Sequence, residues 1–187
     1  MHTAGIKNEL MDHIDPVLFD DEQIAKRVRE IGEQITTDYI GRDLVLISIL
    51  KGGVLFTSDL SRAISIPHQL EFVGSSSYKR GNCPAGGVRI TKDVDQDLEG
   101  KNLLLIEDIY DTGNTLYVIH ELLKLHRPAS IEICALLHKK KNHIHQLNMT
   151  YIGFEIEDQF VVGYGLDYQE LYRNLPCIGV LKPEIYS

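Results

Sequence analysis

The sequence predicts an α/β fold in which a central, mostly parallel sheet is flanked by helices. Three observations carry that expectation. Predominantly apolar runs recur at residues 44–50 (L-V-L-I-S-I-L), 103–106 (L-L-L-I) and 131–137 (I-E-I-C-A-L-L), the pattern of strands buried on both faces of a sheet. Segments of helical period separate them. Each run ends in charged or glycine-containing residues, as expected where strand-to-helix turns open a ligand crevice.

Taken in order, residues up to about 15 read as a polar arm. From 21 to 39, Ile24, Val28, Ile31 and Ile35 fall at intervals of four, three and four, with acids in the first turn and Gly41 beyond the end, which predicts an amphipathic helix. The strand at 44–50 runs straight into Lys51-Gly52-Gly53. This is either an ordinary strand-to-helix turn with an exposed lysine or a close-approach loop whose lysine meets a phosphate. A helix over about 54–63 and a strand around 69–73 follow. Ser75-Ser76-Ser77-Tyr78 then leads into residues 79–97, a polar stretch with Gly81, Pro84, Gly86 and Gly87 and no sustained periodicity. It reads as an unstructured lid or a plain surface loop.

The strand at 103–106 ends abruptly in Glu107 and Asp108, and Leu116, Ile119, Leu122 and Leu123 give 116–125 a helical spacing. The strand at 131–137 ends in His138-Lys139-Lys140-Lys141. Residues 151–156 (Y-I-G-F-E-I) and 160–168 (F-V-V-G-Y-G-L-D-Y) form an aromatic-rich extended segment with glycines, readable as core strands and a turn. His143 and His145 alternate without a nearby cysteine or acidic partner, which favours a surface reading over a metal site.

A chain of 187 residues, 43% hydrophobic and 25% charged, is expected to be one soluble globular domain with a core of its own. Cys83, Cys134 and Cys177 are scattered and lack C-x-x-C pairing, which fits a reducing cytoplasm rather than a disulfide framework. The N-terminus carries no signal-peptide pattern, and no apolar run approaches the roughly 20 residues of a membrane helix. A net charge of −8 disfavours nucleic acid and anionic membranes as partners.

The stretch that organises the chain is 102–115, N-L-L-L-I-E-D-I-Y-D-T-G-N-T. Adjacent carboxylates at a strand end suit a sugar diol or a hydrated Mg2+, since both want hard acceptor oxygens. Asp111-Thr112-Gly113-Asn114-Thr115 suits a phosphate: Gly113 lets the backbone approach, and amides and hydroxyls supply donors. A polyanion held by donors beside a diol held by acceptors describes a phosphorylated ribose. The plainer alternative is an N-capped helix after a solvated acidic strand end.

These residues resemble the phosphoribosyl pyrophosphate-binding motif of the type I phosphoribosyltransferases. The likeness runs from about residue 45 to 181, and further segments are similar to the hypoxanthine-guanine branch of that family. The resemblance implies a mostly parallel sheet capped by a small hood subdomain from both chain ends, with the core at about 20–150 and the hood at about 1–19 and 151–187. It implies Mg2+-dependent transfer of phosphoribose from phosphoribosyl pyrophosphate to N9 of hypoxanthine or guanine, in a homodimer or homotetramer.

Residue by residue, L-K-G-G resembles the pyrophosphate loop, so Lys51 and Gly52 would contact the leaving group across a Leu50–Lys51 bond that is often cis. Ser77 and Tyr78 would lead a mobile loop that excludes water. Glu107 and Asp108 would hold the ribose hydroxyls or metal. The loop from Asp111 through Thr112, Gly113, Asn114 and Thr115 would grip the 5′-phosphate, with Asp111 the candidate general base. Lys139 would donate to the purine 6-oxo group. Phe160 would stack on the base, the Val161 backbone would read its edge, Asp167 would hold Mg2+, and Arg173 would contact pyrophosphate. The family usually has a proline and arginines after the lysine, and Lys140-Lys141-Asn142-His143 departs from that.

Two rivals share parts of this pattern. A non-catalytic, nucleotide-responsive regulator on the same fold is disfavoured by the acidic balance and the lack of an added helix-turn-helix. A receiver domain would carry its acid pair at the first strand, and sizeable strand and helix candidates precede this one.

Overall fold

The computed structural model describes residues 9–77, 88–141 and 143–186. A 3-10 turn (Glu9–His13) leads into β1 (Ile14–Phe19), α1 (Asp21–Asp38), β2 (Leu44–Leu50), α2 (Val54–Ala63), β3 (His68–Ser77) and β4 (Val88–Lys92). The chain continues through β5 (Asn102–Tyr110), α3 (Asn114–Lys124), β6 (Ser130–Lys139), β7 (Tyr151–Ile156), β8 (Val161–Val162), β9 (Ile178–Leu181) and α4 (Pro183–Tyr186). Among the described residues, six strands form one sheet in the order β4-β3-β2-β5-β6-β7, and β1-β9-β8 form a second. The large sheet is parallel from β3 to β7, with β4 antiparallel at its edge.

The apolar runs are continuous because both faces of the sheet are covered. In β2, Leu44 and Leu46 join a core with the α1 residues Ile24, Val28, Ile31 and Ile35, whereas Val45, Ile47 and Ile49 face the core that holds Leu116, Ile119 and Leu123 of α3. In β5, Leu104 and Ile106 share the first core and Leu103 and Leu105 the second. Each fully buried Leu or Ile contributes roughly 1.5–3 kcal/mol.

Helix α1 starts where the sequence predicts, through a capping box in which the Gln23 amide donates to Asp20 (2.8 Å) and the Asp20 amide donates to the Gln23 side chain (3.0 Å). Arg27 ties its far side to the sheet edge, donating to the carbonyls of Gly153 (2.9 Å) and Ile152 (2.7 Å) on β7.

Four expectations are corrected. The segment 79–97 is not wholly irregular: Val88–Lys92 forms β4, whose V-R-I-T-K alternation was too short to register beside the flanking glycines and proline. The arm before residue 15 ends in the ordered Glu9–His13 turn, and Ile14 pairs with Leu181. Strand β5 does not stop at Glu107 but runs on to Tyr110, held by pairing with β6 as far as His138. Residues 151–156, assigned to the hood, form β7 at the edge of the main sheet, because their amides pair with β6 rather than with β8 or β9.

The small sheet packs on the large one instead of standing apart. Val161, Tyr164, Leu166 and Ile178 belong to the first core, while Ile14, Val162, Tyr172, Leu175, Cys177 and Leu181 form a core of their own. Ile31 on α1 is fully buried in the first core. Ile31→Ala is expected to lower unfolding stability by about 2–5 kcal/mol, read as a lower urea midpoint at unchanged slope; an unchanged midpoint contradicts this packing.

Candidate active site

Three parallel strands deliver charged side chains to one end of the sheet: Lys51 after β2, Glu107, Asp108 and Asp111 at the end of β5, and Lys139 at the end of β6. This is the end at which parallel sheets of this kind form their crevice. The loop after β5 turns through Gly113, whose φ of 81° makes it a left-handed cap for α3. Glu107 and residues 109–116 line a cavity of about 200 Å³ that opens onto the first turn of α3, where amides lack helical partners.

Glu107 and Asp108 are the unusual pair. Asp108 is buried and accepts from the Ile109 amide (2.8 Å), while Glu107 Oε2 is buried with no partner. Burial, and then the neighbouring Asp108 charge, push the Glu107 carboxyl well above the usual carboxylate range. Asp108 is also pushed up by burial, opposed by its hydrogen bonds with Glu107 and the Ile109 amide and by the Arg173 charge. Gly52 lies against this pair: a Cβ there would overlap the Asp108 carboxylate. The Leu50–Lys51 peptide bond before it is cis.

Around the acids, every candidate cation is already engaged. Lys139, nearly buried, donates to Asp158 (2.9 Å) and lies 3.6 Å from Asp111. Lys141 forms ion pairs with Asp111 and with Asp158 (3.1 Å). The hydrogen bond to Asp111, ahead of that to Asp158, holds its ammonium above the usual range. Lys51 meets Glu170 at 3.0 Å, and Arg173 meets Asp167 at 2.7 Å and Glu170 at 3.4 Å while donating to the Gly165 carbonyl (2.7 Å). The turn that carries these groups holds Tyr164, Gln169, Glu170 and Tyr172 at positive φ, a concentration of backbone strain typical of binding sites. Phe160 is 41% exposed, edge-on to Tyr168 at 5.7 Å and stacked on Tyr186 at 5.2 Å.

The fold is that of a known family. A family model described as "Phosphoribosyl transferase domain" matches residues 17–169. The chain belongs to the phosphoribosyltransferase family. It is 46% identical over 181 residues to the hypoxanthine-guanine phosphoribosyltransferase of Mycobacterium bovis, covering 93% of this chain and 89% of that one. It is 47% identical over 171 residues to the Staphylococcus aureus protein of the same name, covering 91% and 96%. The crystal structure of a hypoxanthine phosphoribosyltransferase from Staphylococcus aureus superposes with a TM-score of 0.92 at 44% identity, covering 98% of this chain and all of that one.

Within this phosphoribosyltransferase, the loop 111–115 and the acid pair lie together, and Lys139 adjoins Asp111. Val161 is buried in β8 opposite Val180, next to the exposed Phe160. Ser77 ends β3, paired with Val88; Tyr78 lies outside the described residues. Asp167 does not join Glu107 and Asp108 in one metal-binding cluster among the described residues. It faces Arg173 instead. Sequence reasoning missed Asp158 and Glu170, the counter-ions that organise the cations, and the part of Lys141 as the cation that engages Asp111. Each lies within three residues of a residue that was singled out, yet their pairings bridge separate loops and have no local spacing to betray them.

The raised Glu107 carboxyl makes a signed prediction. A carboxyl whose folded value exceeds its unfolded value costs stability as pH rises above the unfolded value, about 4.5. Glu107→Gln is therefore expected to raise Tm by a few degrees at pH 8, with the gain shrinking toward zero near pH 4. A thermal-shift series that shows equal Tm at all pH values contradicts the burial of an unpaired carboxyl.

Proposed function

We propose that this phosphoribosyltransferase acts in purine salvage, transferring phosphoribose from phosphoribosyl pyrophosphate to N9 of hypoxanthine or guanine to give IMP or GMP and pyrophosphate. The observation that carries the reading is the cavity of about 200 Å³ between Glu107 of the acid pair and a helix N-terminus, with a nearly buried lysine beside Asp111. The named relatives support the same substrates. A nucleotide-responsive regulator has no support among them.

In the reaction the bond from ribose C1 to pyrophosphate breaks with its electron pair on oxygen, and N9 of the purine forms the new bond as the ring loses a proton. Positive charge builds at C1, so positioning and electrostatics supply most of the acceleration. The amides and hydroxyls of Thr112, Gly113, Asn114 and Thr115 hold the 5′-phosphate. Glu107 and Asp108 accept from the ribose hydroxyls, which gives the partnerless Glu107 oxygen the donor it lacks. Lys51 and Arg173 exchange Glu170 for the departing pyrophosphate; the exposed Lys51–Glu170 pair contributes about 1 kcal/mol or less, so that exchange costs little.

Glu107 and Asp108 also offer hard oxygen donors to Mg2+, and Asp167 offers another on the hood side. When bound, Mg2+ supplies charge neutralisation for the pyrophosphate. Phe160 stacks on the purine, a contact worth on the order of 1–3 kcal/mol, and the Val161 backbone meets its edge. Lys139 is a donor only, so it matches a 6-oxo group and opposes the 6-amino group of adenine. Asp111 accepts from the purine N7 position. The enzyme works in the cytoplasm as a homodimer or homotetramer.

A spectrophotometric assay with phosphoribosyl pyrophosphate, Mg2+ and each of hypoxanthine, guanine, xanthine and adenine tests the reading. Turnover is expected on hypoxanthine or guanine and not on adenine. Asp111→Asn is expected to lower kcat about 100-fold or more. Lys139→Ala is expected to raise the purine KM about tenfold with the phosphoribosyl pyrophosphate KM within about twofold, the loss of one charged hydrogen bond. The reading falls if no 6-oxopurine reacts.

A further inference from the structure

Two histidines at the edge of the site have no part in the reaction just described. His138 is the last residue but one of β6 and His143 follows in the next loop, and their Nε2 atoms lie 3.2 Å apart. His143 Nδ1 bonds to the Asp111 carbonyl oxygen. His138 Nδ1 is buried with no partner. Both rings stack on Tyr110, at 5.3 and 4.0 Å, and share with Lys141 and Met149 the wall of a cavity of about 360 Å³.

These contacts assign the protons. A carbonyl oxygen only accepts, so His143 Nδ1 carries a hydrogen. In neutral His143 the Nε2 is then a bare acceptor, and the hydrogen between the rings belongs to His138 Nε2. That leaves His138 Nδ1 as an unprotonated, buried lone pair, in accord with its lack of a partner. The ring centroids are 5.2 Å apart with planes within 20°, so the rings meet nearly end to end. That is the geometry of a shared N–H···N hydrogen bond and not of two ligands converging on one metal ion.

We propose that His138 and His143 form a proton-sharing pair that positions the Asp111–Thr115 loop and makes its grip on the 5′-phosphate depend on pH. The proposal rests on the phosphoribosyl pyrophosphate reading of that loop. His143 is the positioning residue and acts through the Asp111 backbone. His138 acts one step further back, holding His143 in the tautomer that donates to it. The pair accepts one proton with its inter-ring hydrogen bond kept, because His143 can donate from both nitrogens while the hydrogen of His138 moves to the partnerless Nδ1. A second proton sets N–H against N–H and charge against charge at 3.2 Å, and the pair must open.

The groups facing the pair do not relieve that conflict. From β5 they are the Tyr110 ring, whose hydroxyl is committed to the His145 carbonyl, and Asp111, whose carboxylate is engaged by Lys141 and Lys139. From β7 it is Glu155, in register with His138 but 3.5 Å from the Lys140 ammonium. His145 is turned away, stacked on Tyr117 at 3.9 Å. Burial and then the His143 charge hold His138 below the usual imidazole range. Its neutral form therefore stabilises the folded loop above about pH 6.5, and that contribution is lost as pH falls through the lower folded value.

The test is calorimetric binding of phosphoribosyl pyrophosphate between pH 8 and 5.5 to the full chain and to His143→Arg, with the rate of hypoxanthine turnover measured alongside. Arginine keeps a permanently charged donor to the Asp111 carbonyl and cannot titrate. The phosphate's own ionisation near pH 6 affects both proteins alike. The wild-type dissociation constant is expected to rise about fivefold more than that of His143→Arg on acidification, the equivalent of one hydrogen bond. Nitrogen-15 spectra of the wild type at pH 8 are expected to place hydrogen on His143 Nδ1 and His138 Nε2. Superimposable binding profiles, or the opposite tautomers, overturn the proposal and leave the enzyme reading intact. A histidine-dependent binding profile without turnover on any base overturns the enzyme reading and leaves this one standing.

Discussion

Two carboxylates withdrawn from water at the end of β5 set the terms for the rest of the molecule. A buried carboxylate without a partner is costly, and two adjacent ones resist joint ionisation. The sheet keeps them dry because β2 and β6 flank β5 on both edges and helices cover both faces. Gly52 has no side chain because the Asp108 carboxylate fills that space. The hood answers from above, where Arg173 provides the charge that partly offsets the burial of Asp108. The site is thus poised for a ligand that brings hydroxyl donors or a cation, since either would satisfy what the protein leaves open.

Much of this was legible in the chain because it depends on local periodicity. The apolar run 44–50 and the helix 54–63 match β2 and α2 residue for residue, since both are bounded by glycine or charge, β2 is buried through most of its length, and α2 buries Phe56, Thr57 and Leu60 on one face. The loop 111–115 was legible for a different reason: phosphate binding demands small, donor-bearing residues in sequence. What escaped was set by pairing across distance. β7 resembles a hood strand in composition, and only its ladder with β6 assigns it to the main sheet. The extension of β5 past its acids runs against the preference for ending strands at charge, and tertiary pairing with β6 overrode it.

The counter-ions follow the same rule. Asp158 holds both Lys139 and Lys141, and Glu170 holds both Lys51 and Arg173. In each case one carboxylate gathers two cations that a polyanionic or polar ligand would otherwise have to collect from separate loops. The like charges are thereby brought together before the ligand arrives, which shifts part of the ordering cost from binding to folding. The exposure of Glu170 limits how strongly it holds its partners, so release is easy.

The departure of residues 140–143 from the family pattern fits this arrangement. Arginines there would be permanently charged. This chain has a lysine that engages Asp111 and a histidine that holds the Asp111 carbonyl, so the same loop is gripped from its side chain and from its backbone by different groups. A loop held at both points is stiffer than one held at either, and stiffness in a phosphate cradle improves the alignment of its amides before substrate arrives. The cost of that stiffness is sensitivity to acid at His138, whose neutral ring supports the histidine that holds the loop.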